Sequence, residues 1–440
     1  MPNDTTLLLG LDGVSVVRVE RLEDGTRRVH LATDDEGARA CPVCGVIAVK
    51  PKGTAVTRPR DLPYGELGLE FRWHKRRWYC REPACPRRSF TEQTRQIPAR
   101  ARLTTRLREA AGQRVRDSGS TVIQAARDLR LSWPTVMDAF RTAAREVVTA
   151  PLPLVEVLGI DETRRGRTQW RQNPQTGRWE PTADQWHTGF VDAGGSGGLL
   201  GQVEGRAPSD VLAWLASTPV QWRRAIRYVA IDMSTGYRAA VRTGLPHATI
   251  VVDHFHVVQL ANKMLSTVRR RTTATLRGRR GRATDPEWRA RRRLLRNRQD
   301  LTQAQFTKMW NALMDAGQIG MTLLTAWIAK ERLRDLLALA RAGADRDRTG
   351  HLRWKFLTWC ADSEIPEVRQ LAVTVDRWWP EIAAFITTGH SNATSEGVNR
   401  MIKLCARNAH GFRNPVNQRL RTRCVTTRRA RGHLRTAQLR

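Results

Sequence analysis

Two different patterns of apolar residues follow each other in the early part of the chain. Apolar and polar residues alternate around Leu7–Val19 and Val29–Leu31, which predicts short β-strands within residues 1–40. From Leu103 to about Ala150 the apolar residues recur instead with the period of an α-helix. We therefore expect a small β module, followed by a group of helices.

A tight pair of helices is predicted inside the helical stretch. Residues 120–129 form one helical segment, and after a short break Ser132 precedes a second segment with Pro134 in its first turn. Serine caps helix N-termini and proline is tolerated in the first turn, so both residues fit a helix start. Such a pair is typical of a helix-turn-helix, whose second helix enters the major groove of DNA and would present Thr135 there. Helix pairs are also common in proteins that bind no DNA.

The chain after a linker at residues 149–153 alternates strands and helices. Strands are predicted at 154–160, 186–192, 199–204, 226–231 and 248–252, and helices at 209–217 and 234–243. Three strands, a helix, a strand, a helix and a strand is the element order of the ribonuclease H-like fold. A long helical region at about Leu260–Phe385, with a loop or a poorly ordered stretch predicted at Gly278–Pro286, interrupts this fold. A last helix runs from Ser391 to about Ala409, and a basic tail follows it.

The charge balance is strongly basic. The 440 residues include 75 Lys and Arg against 42 Asp and Glu, which gives a net charge of +33. A chain with this charge repels itself unless a polyanion neutralises it, and its predominant arginines suit phosphate, so nucleic acid is the expected partner. An Arg-rich composition inherited from a GC-rich genome is the alternative, although it would not by itself cluster the arginines.

The chain lacks the patterns of secretory and membrane proteins. No N-terminal segment resembles a secretory signal, and no apolar stretch reaches the roughly 18 residues of a membrane span. We therefore expect a cytoplasmic protein without a membrane partner, which is associated with the nucleoid when bound to DNA. In that compartment the seven cysteines favour metal binding or simple burial over disulfides.

Two close cysteine pairs have the spacing of a zinc site. Cys41 and Cys44 enclose two residues, and Cys80 and Cys85 enclose four. Four thiolates hold one zinc ion tetrahedrally and can fold a segment too small to have its own core. The four cysteines fill the shell without His74, and buried or unpaired thiols are the alternative interpretation. The arginines near the second pair are Arg76, Arg77, Arg81, Arg87 and Arg88. Both DNA contact and a purely structural role of the module stay open.

Three acidic residues have the order and placement of a catalytic metal site. Asp161 follows the first predicted strand, Asp232 follows the fourth, and Glu396 begins the helix that completes the domain. Cleavage and joining of phosphodiesters need an activated oxygen nucleophile and a stabilised leaving oxygen, which two carboxylate-bound Mg²⁺ (or Mn²⁺) ions about 3.5–4 Å apart supply. A single aspartate at a strand end is a weak signal, as Asp12 illustrates. The three acids together predict such a site.

Other polar residues accompany these acids in sequence. Asp253 is the alternative to Asp232, but it follows the fifth strand, whereas the fold has its second acid after the fourth. Glu162, Asp253, His256 and Asn399 are candidate neighbours that orient the acids or line the site. A histidine next to a strand end is also often purely structural.

These patterns together predict a multidomain α/β protein. Its regions are a zinc-binding β module at 1–98, a helix-turn-helix region at 99–150, the first part of a ribonuclease H-like catalytic domain at 151–259, an all-helical insertion at 260–385, and the last catalytic helix with the basic tail at 386–440. With 40% hydrophobic residues, the chain has enough apolar surface for several cores.

Short segments spread along the chain carry a family resemblance. They are Cys41-Pro-Val-Cys44-Gly, Arg60-Asp-Leu-Pro63, Cys80…Cys85, Leu158-Gly-Ile-Asp161-Glu162, Ile231-Asp-Met-Ser234-Thr-Gly-Tyr237, Leu245-Pro-His-Ala248, Val252-Asp-His-Phe-His256, Ser391-Asn-Ala-Thr-Ser-Glu396-Gly-Val-Asn399-Arg-Met-Ile-Lys403 and Gly411-Phe-Arg-Asn414. With these segments the chain resembles transposases of the ISL3 insertion-sequence family over nearly its whole length. Ala393 stands where a glycine is expected, and it keeps a small side chain there.

The resemblance implies a DNA transposase with an N-terminal zinc-binding domain, a helix-turn-helix and a DDE catalytic domain. Such an enzyme binds the terminal inverted repeats of its element and catalyses metal-dependent cleavage and strand transfer. Its partners would be double-stranded DNA, both transposon ends and target, and further copies of itself on DNA. Its cofactors would be two Mg²⁺ (or Mn²⁺) ions per active site and one structural Zn²⁺.

Basic residues near the expected active site and in the insertion are candidate DNA contacts. They are Arg400, Lys403 and Arg407 on the helix of the glutamate, Arg269, Arg270 and Arg271 in a basic stretch, and Thr135 in the helix-turn-helix. A solvated basic face is the alternative for the glutamate's helix. Two other functions stay open from sequence: a DNA-binding regulator with an inactive catalytic domain, and a nuclease or resolvase of the same fold.

Overall fold

The structure, a computed structural model, describes residues 4–65, 68–166, 170–181, 186–343 and 345–432. The end of the expected basic tail, residues 433–440, lies outside the described residues. The chain forms two compact units. The first unit comprises Met1–Ala150 and Asn408–Val425, and the second comprises Pro151–Arg407 and Thr426–Arg440. The predicted mixed α/β architecture is confirmed.

The first unit begins with a small β module. Its elements are α1 (Asp4–Leu9), β1 (Val14–Arg21), β2 (Arg27–Thr33), β3 (Pro51–Thr57), β4 (Leu69–Tyr79) and β5 (Ser89–Thr91). The strands form one sheet in the order β1-β2-β4-β3, with β5 on β4, and only the β2–β4 pair is parallel among the described pairs. The strand predicted from Leu7 is wrong at its start, because Gly10 and Gly13, with φ of 56° and 80°, separate a helix from β1.

Three helices follow, as predicted for a helix-turn-helix. They are α2 (Thr105–Arg116), α3 (Val122–Asp128) and α4 (Trp133–Thr149). The Ser132 side chain accepts a hydrogen bond from the Thr135 backbone N–H, and Pro134 occupies the first turn, so the predicted start of α4 is confirmed. Leu107, Val136 and Phe140 are buried between the helices.

The second unit contains a mixed sheet. Its first elements are β6 (Val157–Arg164), β7 (Trp170–Gln172), β8 (Trp179–Pro181), β9 (Trp186–Asp192), β10 (Leu199–Glu204), α5 (Pro208–Ala216), α6 (Val220–Ala225), β11 (Tyr228–Ile231), α7 (Thr235–Gly244) and β12 (Thr249–Val252). The sheet order is β10-β9-β6-β11-β12, in which β6, β11 and β12 are parallel and the other pairs antiparallel. This is the ribonuclease H-like arrangement that the element order predicted.

Two features of this sheet differ from the sequence prediction. Strand β6 does not end before Asp161 but continues to Arg164, because residues 161–164 pair antiparallel with β9. Strands β7 and β8 form a short exposed hairpin that was not predicted, since three-residue strands carry too little apolar periodicity to be recognised.

Helices make up the rest of the chain. They are α8 (His254–Arg277), α9 (Pro286–Ala290), α10 (Gln303–Met314), α11 (Gln318–Ala342), α12 (Arg346–Asp362), α13 (Pro366–Arg377), α14 (Trp379–Thr388), α15 (Ala393–Asn408) and α16 (Pro415–Thr426). The predicted loop at 278–286 is confirmed by the left-handed Gly278 that ends α8 and by the start of α9 at Pro286.

The insertion helices share one hydrophobic core with the sheet. This core runs from Val155 before β6 to Ile386 on α14. An ion pair of 2.6 Å between Arg238 on α7 and the buried Glu381 on α14 reinforces the contact. The helical insertion is therefore packed into the second unit rather than separated from it.

Helix α16 replaces the first part of the expected basic tail. Cys424 is fully buried in the core of the helix-turn-helix. The Arg421 guanidinium donates to the Val115 carbonyl oxygen at 2.9 Å, and Arg141 Nε donates to Asn417 Oδ1 at 3.2 Å. Residues 408–425 thus belong to the first unit. Among the described helices, none combines the length and the apolar character needed to cross a membrane.

Candidate active site and metal centre

Four sulfur atoms converge in the β module. Cys41 Sγ lies 3.9 Å from Cys85 Sγ, and Cys44 Sγ lies 3.5 Å from Cys80 Sγ. All four lie within 4.8 Å of one another. Zinc–sulfur bonds of about 2.3 Å in a tetrahedron separate the sulfurs by about 3.8 Å, so the cluster fits one zinc ion. Its donor set is that of a closed, structural site.

The surroundings of the cysteines support a structural centre. Trp78 and Phe90 pack beside the thiols as the small core of this segment. His74 lies outside the cysteine cluster, and its ring forms a hydrogen bond of 2.9 Å with the ring of His30. The five arginines near the second pair all have exposed side chains: Arg76, Arg77, Arg81, Arg87 and Arg88. They are thus available to a polyanion.

Asp161 lies on β6, and Asp232 directly follows the neighbouring parallel strand β11. Ile160 on β6 is paired with Ile231 on β11, and each aspartate directly follows one of these residues. Burial and the neighbouring charge of Asp232 raise the pKa of Asp161 to about 7. Two partly buried carboxylates on neighbouring strands repel each other, and a bound cation would offset this repulsion.

Helix α15, on which Glu396 lies, packs against the same strand. Asn399 Nδ2 donates to Asp161 Oδ2 at 2.6 Å, and Asn392 Nδ2 donates to the Ile160 carbonyl oxygen at 3.2 Å. Glu396 lies between these two asparagines in sequence, less than one helical turn before Asn399. Its side chain is one-third exposed, and the Arg400 guanidinium lies 4.0 Å from its carboxylate.

A cleft of about 700 Å³ opens beside Asp232. Glu162 and His256 also line it, and His256 Nε2 lies 2.9 Å from Asp232 Oδ1. The hydrogen bond to this carboxylate raises the pKa of His256, although burial opposes the shift. Glu162 and His256 therefore line the same cleft as Asp232.

Asp253 has a different position. Its carboxylate is nearly buried and accepts a hydrogen bond from the backbone N–H of Phe255, which caps the N-terminus of α8. Burial tends to raise its pKa, but hydrogen bonds from His254 and from Phe255 N–H leave the pKa of Asp253 below its usual value. This role in capping α8 accounts for an acid at the end of the fifth strand.

The three candidate acids are spaced more widely than the zinc ligands. Within the described ranges, the four cysteines are the only group of three or more potential ligands whose metal-binding atoms all lie within 4.8 Å of one another. Asp161 and Asp232 follow paired residues of neighbouring strands, and Glu396 lies on α15. Their carboxylate oxygens are nevertheless the donors that hard divalent ions prefer, so the donor set fits Mg²⁺ or Mn²⁺.

The outer face of α15 is basic and exposed. Arg400 is 83% exposed, and Lys403 and Arg407 are exposed along the same side. Val398 and Ile402 are buried on the inner side. These three basic side chains are thus accessible near Glu396.

The remaining DNA-contact candidates have mixed environments. Arg271 forms an ion pair of 2.6 Å with Glu367 on α13, and Arg269 stacks 5.5 Å from the centre of the Trp288 ring. Arg270 is exposed. The Thr135 hydroxyl lies 2.8 Å from the Ser132 hydroxyl at the start of α4. Of the three arginines in the basic stretch, Arg270 and Arg271 are exposed, and Arg271 is engaged in the ion pair with Glu367.

Sequence reasoning did not find the residues of α8 that line the cleft. Gln259, Asn262 and Lys263 extend the lining beyond His256. Their signal was present, because these positions alternate at helical spacing with the apolar residues that α8 buries.

Comparisons with known proteins agree with this architecture. The ISL3 transposase family, represented by its DDE domain, matches residues 158–422. The helix-turn-helix domain of transposase family ISL3 matches residues 92–144, and the zinc finger of the IS204/IS1001/IS1096/IS1165 transposases matches residues 38–85. The three matches follow the order of the zinc module, the helix-turn-helix and the sheet.

Two transposases are similar to this chain in sequence. The transposase for insertion sequence element IS1001 of Bordetella parapertussis is 27% identical over 412 residues, 92% of this chain and 93% of that protein. The transposase for insertion sequence element IS1557 of Mycobacterium tuberculosis is 29% identical over 213 residues, 43% of this chain and 45% of that protein. The Drosophila P element transposase strand transfer complex has a TM-score of 0.39 at 8% identity, covering 75% of this chain and 92% of that chain, too low a score to establish a common fold.

The family match to residues 158–422 covers more than half of the chain, including both aspartates and Glu396. The domain order, the cysteine cluster and the sheet topology of the chain agree with this match. The chain belongs to the ISL3 family of transposases.

Proposed function

We propose that this transposase binds the terminal inverted repeats of its element, cleaves DNA there and joins the ends to a target. Asp161, Asp232 and Glu396 are the acids to which we assign the metal-dependent chemistry. The observation that carries the assignment is the pairing of Ile160 with Ile231, after which Asp161 on β6 and Asp232 at the end of β11 are next along the two strands. The hydrogen bond from Asn399 to Asp161 supports the assignment of Glu396, because Asn399 and Glu396 both lie on α15.

The proposed cofactors of this site are two Mg²⁺ or Mn²⁺ ions. When bound, they supply an activated water or hydroxyl nucleophile and stabilise the leaving oxygen of the phosphodiester. The protein's own groups hold and orient: Asn399 fixes the direction of the Asp161 carboxylate, and His256 fixes that of Asp232. Asp253 is assigned to the cap of α8 and not to the metal site.

DNA binding is assigned to surfaces in both units. In the first unit α4 would enter the major groove with Thr135 near its N-terminus. In the second unit Arg400, Lys403 and Arg407 would hold phosphates near Glu396, and Arg270 would do so in the insertion. We propose that several copies assemble on DNA, because the two ends of an element must be processed together.

The proposed function is tested with purified full-length protein and the DNA that flanks its gene. A labelled duplex containing an element end is incubated with Mg²⁺ and a plasmid target, and cut and joined products are separated on a gel. The proposal expects both products, with cleavage at the border of the element. Cleavage without joining would identify a nuclease or resolvase, and binding without cleavage in Mg²⁺ and in Mn²⁺ would identify a regulator.

A further inference from the structure

One face of α8 does not take part in packing the second unit. The helix buries Val257, Ala261, Met264, Leu265 and Val268 on one side. The opposite side presents His256, Gln259, Lys263, Ser266 and Arg270. These five residues are spaced three or four positions apart and therefore form one line along the helix. The line begins at Asp232, since His256 lies 2.9 Å from it.

This line borders the cleft of about 700 Å³ beside Asp232. Its lining combines the polar Gln259 and Lys263 with the apolar side chains of Met233, Leu260 and Leu295. A space of this size holds about one or two nucleotides and is far too small for a duplex. If this helix face only contacted water, apolar side chains beside it would not be expected.

Asn262 gives the cleft a polar group that lacks a partner. Its Oδ1 atom is enclosed and accepts no hydrogen bond from any residue that the structure describes. An enclosed acceptor without a donor is unfavourable, so a ligand towards which the Asn262 amide turns in the cleft gains a hydrogen bond at little additional desolvation cost. Amino and imino groups on the edges of nucleobases are donors of this kind.

We infer that this cleft binds an unpaired nucleotide next to the phosphate that is cut. Its base packs against Leu260 and Leu295, and its edge donates to Asn262. Lys263, whose side chain is exposed at the rim, holds its phosphate. The enzyme thus separates the strands at the cleavage point and keeps one base out of the duplex. This inference rests on the proposed function, because it takes Asp232 as part of the active site.

The test uses full-length protein without divalent metal, so that no cleavage takes place. Two DNA probes are compared by fluorescence anisotropy: a blunt duplex, and the same duplex with three unpaired nucleotides at one end. The wild type is expected to prefer the extended probe roughly fivefold or more, the equivalent of one or two hydrogen bonds. Asn262→Leu and Lys263→Ala are expected to lose this preference, and Lys263→Ala to lower the salt slope on the extended probe by about 0.7.

Matched controls are available on α10, where Asn311 and Lys308 are exposed. Asn311→Leu and Lys308→Ala are expected to keep the preference. Unchanged affinity for the blunt duplex shows that each variant is folded. A 4-thiothymidine in the unpaired stretch is expected to crosslink to a peptide within His254–Arg277.

Equal affinity of the wild type for both probes, or a crosslink confined to other peptides, would overturn the inference. Because no metal is present, this result is independent of whether the protein cuts DNA. A protein that cuts in Mg²⁺ but shows no preference would retain the proposed function and lose the unpaired-nucleotide site.

Discussion

Gly159 on β6 tests whether α15 must lie close to the sheet for the acids to meet. A Cβ atom at this position would overlap Ser395 Oγ and lie 2.7 Å from Asn392 Oδ1, whereas ordinary Cβ contacts begin near 3.4 Å. Both of these residues are almost fully buried, so neither side chain has free space to turn into. Gly159→Ala would therefore push α15, and Glu396 with it, about 1 Å away from Asp161.

Two magnitudes follow from this displacement. Overpacking of this kind costs about 1–3 kcal/mol of the free energy of unfolding. A misplacement of about 1 Å at a reacting centre lowers the rate by about 100-fold. We expect Gly159→Ala to reduce Mg²⁺-dependent cleavage of an element end by about that factor, while binding of the uncut duplex stays within about twofold because the helix-turn-helix is unchanged.

The sheet offers a matched control and a rescue. A Cβ at Gly189 on β9 would meet Leu199 Cδ1 at 3.5 Å and the Asp161 carbonyl oxygen at 3.7 Å, which are ordinary contacts. Gly189→Ala is therefore expected to cleave nearly as the wild type does. Adding Ser395→Gly to Gly159→Ala removes the nearest clash and is expected to restore part of the rate. If Gly159→Ala cleaves within twofold of the wild type, the close contact of α15 with β6 does not control the active site.

Three further predictions concern the zinc centre, a DNA-contact face and the packing of α16. Elemental analysis of the full-length protein is expected to give about one zinc per chain, lost in Cys80→Ser and kept in Cys360→Ser; a zinc-free folded wild type would exclude the centre. Arg400→Ala and Lys403→Ala are each expected to lower the salt slope of duplex binding by about one unit, equally on specific and random DNA, and an unchanged slope would assign this face to solvent. Arg421→Ala is expected to lower the melting temperature of the first unit, because the buried guanidinium donates to backbone carbonyl oxygens of the helix-turn-helix. An unchanged melting temperature in calorimetry would show that this contact of α16 adds no stability.

The sequence was sufficient to predict the sheet because its strands are continuous apolar runs separated by helical periods. Strands β9 and β10 have the predicted bounds, Trp186–Asp192 and Leu199–Glu204. The hairpin of β7 and β8 was missed because both strands are exposed and only three residues long. Such strands are stabilised by local turn geometry, which hydrophobic periodicity does not report.

The basic residues were the least predictable part of the site. A run such as Arg269–Arg271 suggests DNA contact, yet Arg271 pairs with Glu367, which is distant in sequence. The role of α16 was hidden for the same reason, because its partners on α2 are about 300 residues away along the chain. Which charges are satisfied within the protein depends on tertiary contacts, and a single sequence does not contain them.

The most direct test of the central assignment compares four conservative variants in one cleavage assay. Asp161→Asn, Asp232→Asn and Glu396→Gln remove a charge with little change of shape, and Asp253→Asn does the same at the α8 cap, where asparagine is an equally good capping residue. With an element-end duplex and Mg²⁺, we expect cleavage by the first three variants to fall by orders of magnitude with duplex binding retained, and Asp253→Asn to cleave nearly as the wild type does. Full cleavage by Asp232→Asn together with none by Asp253→Asn would contradict the assignment of the second acid.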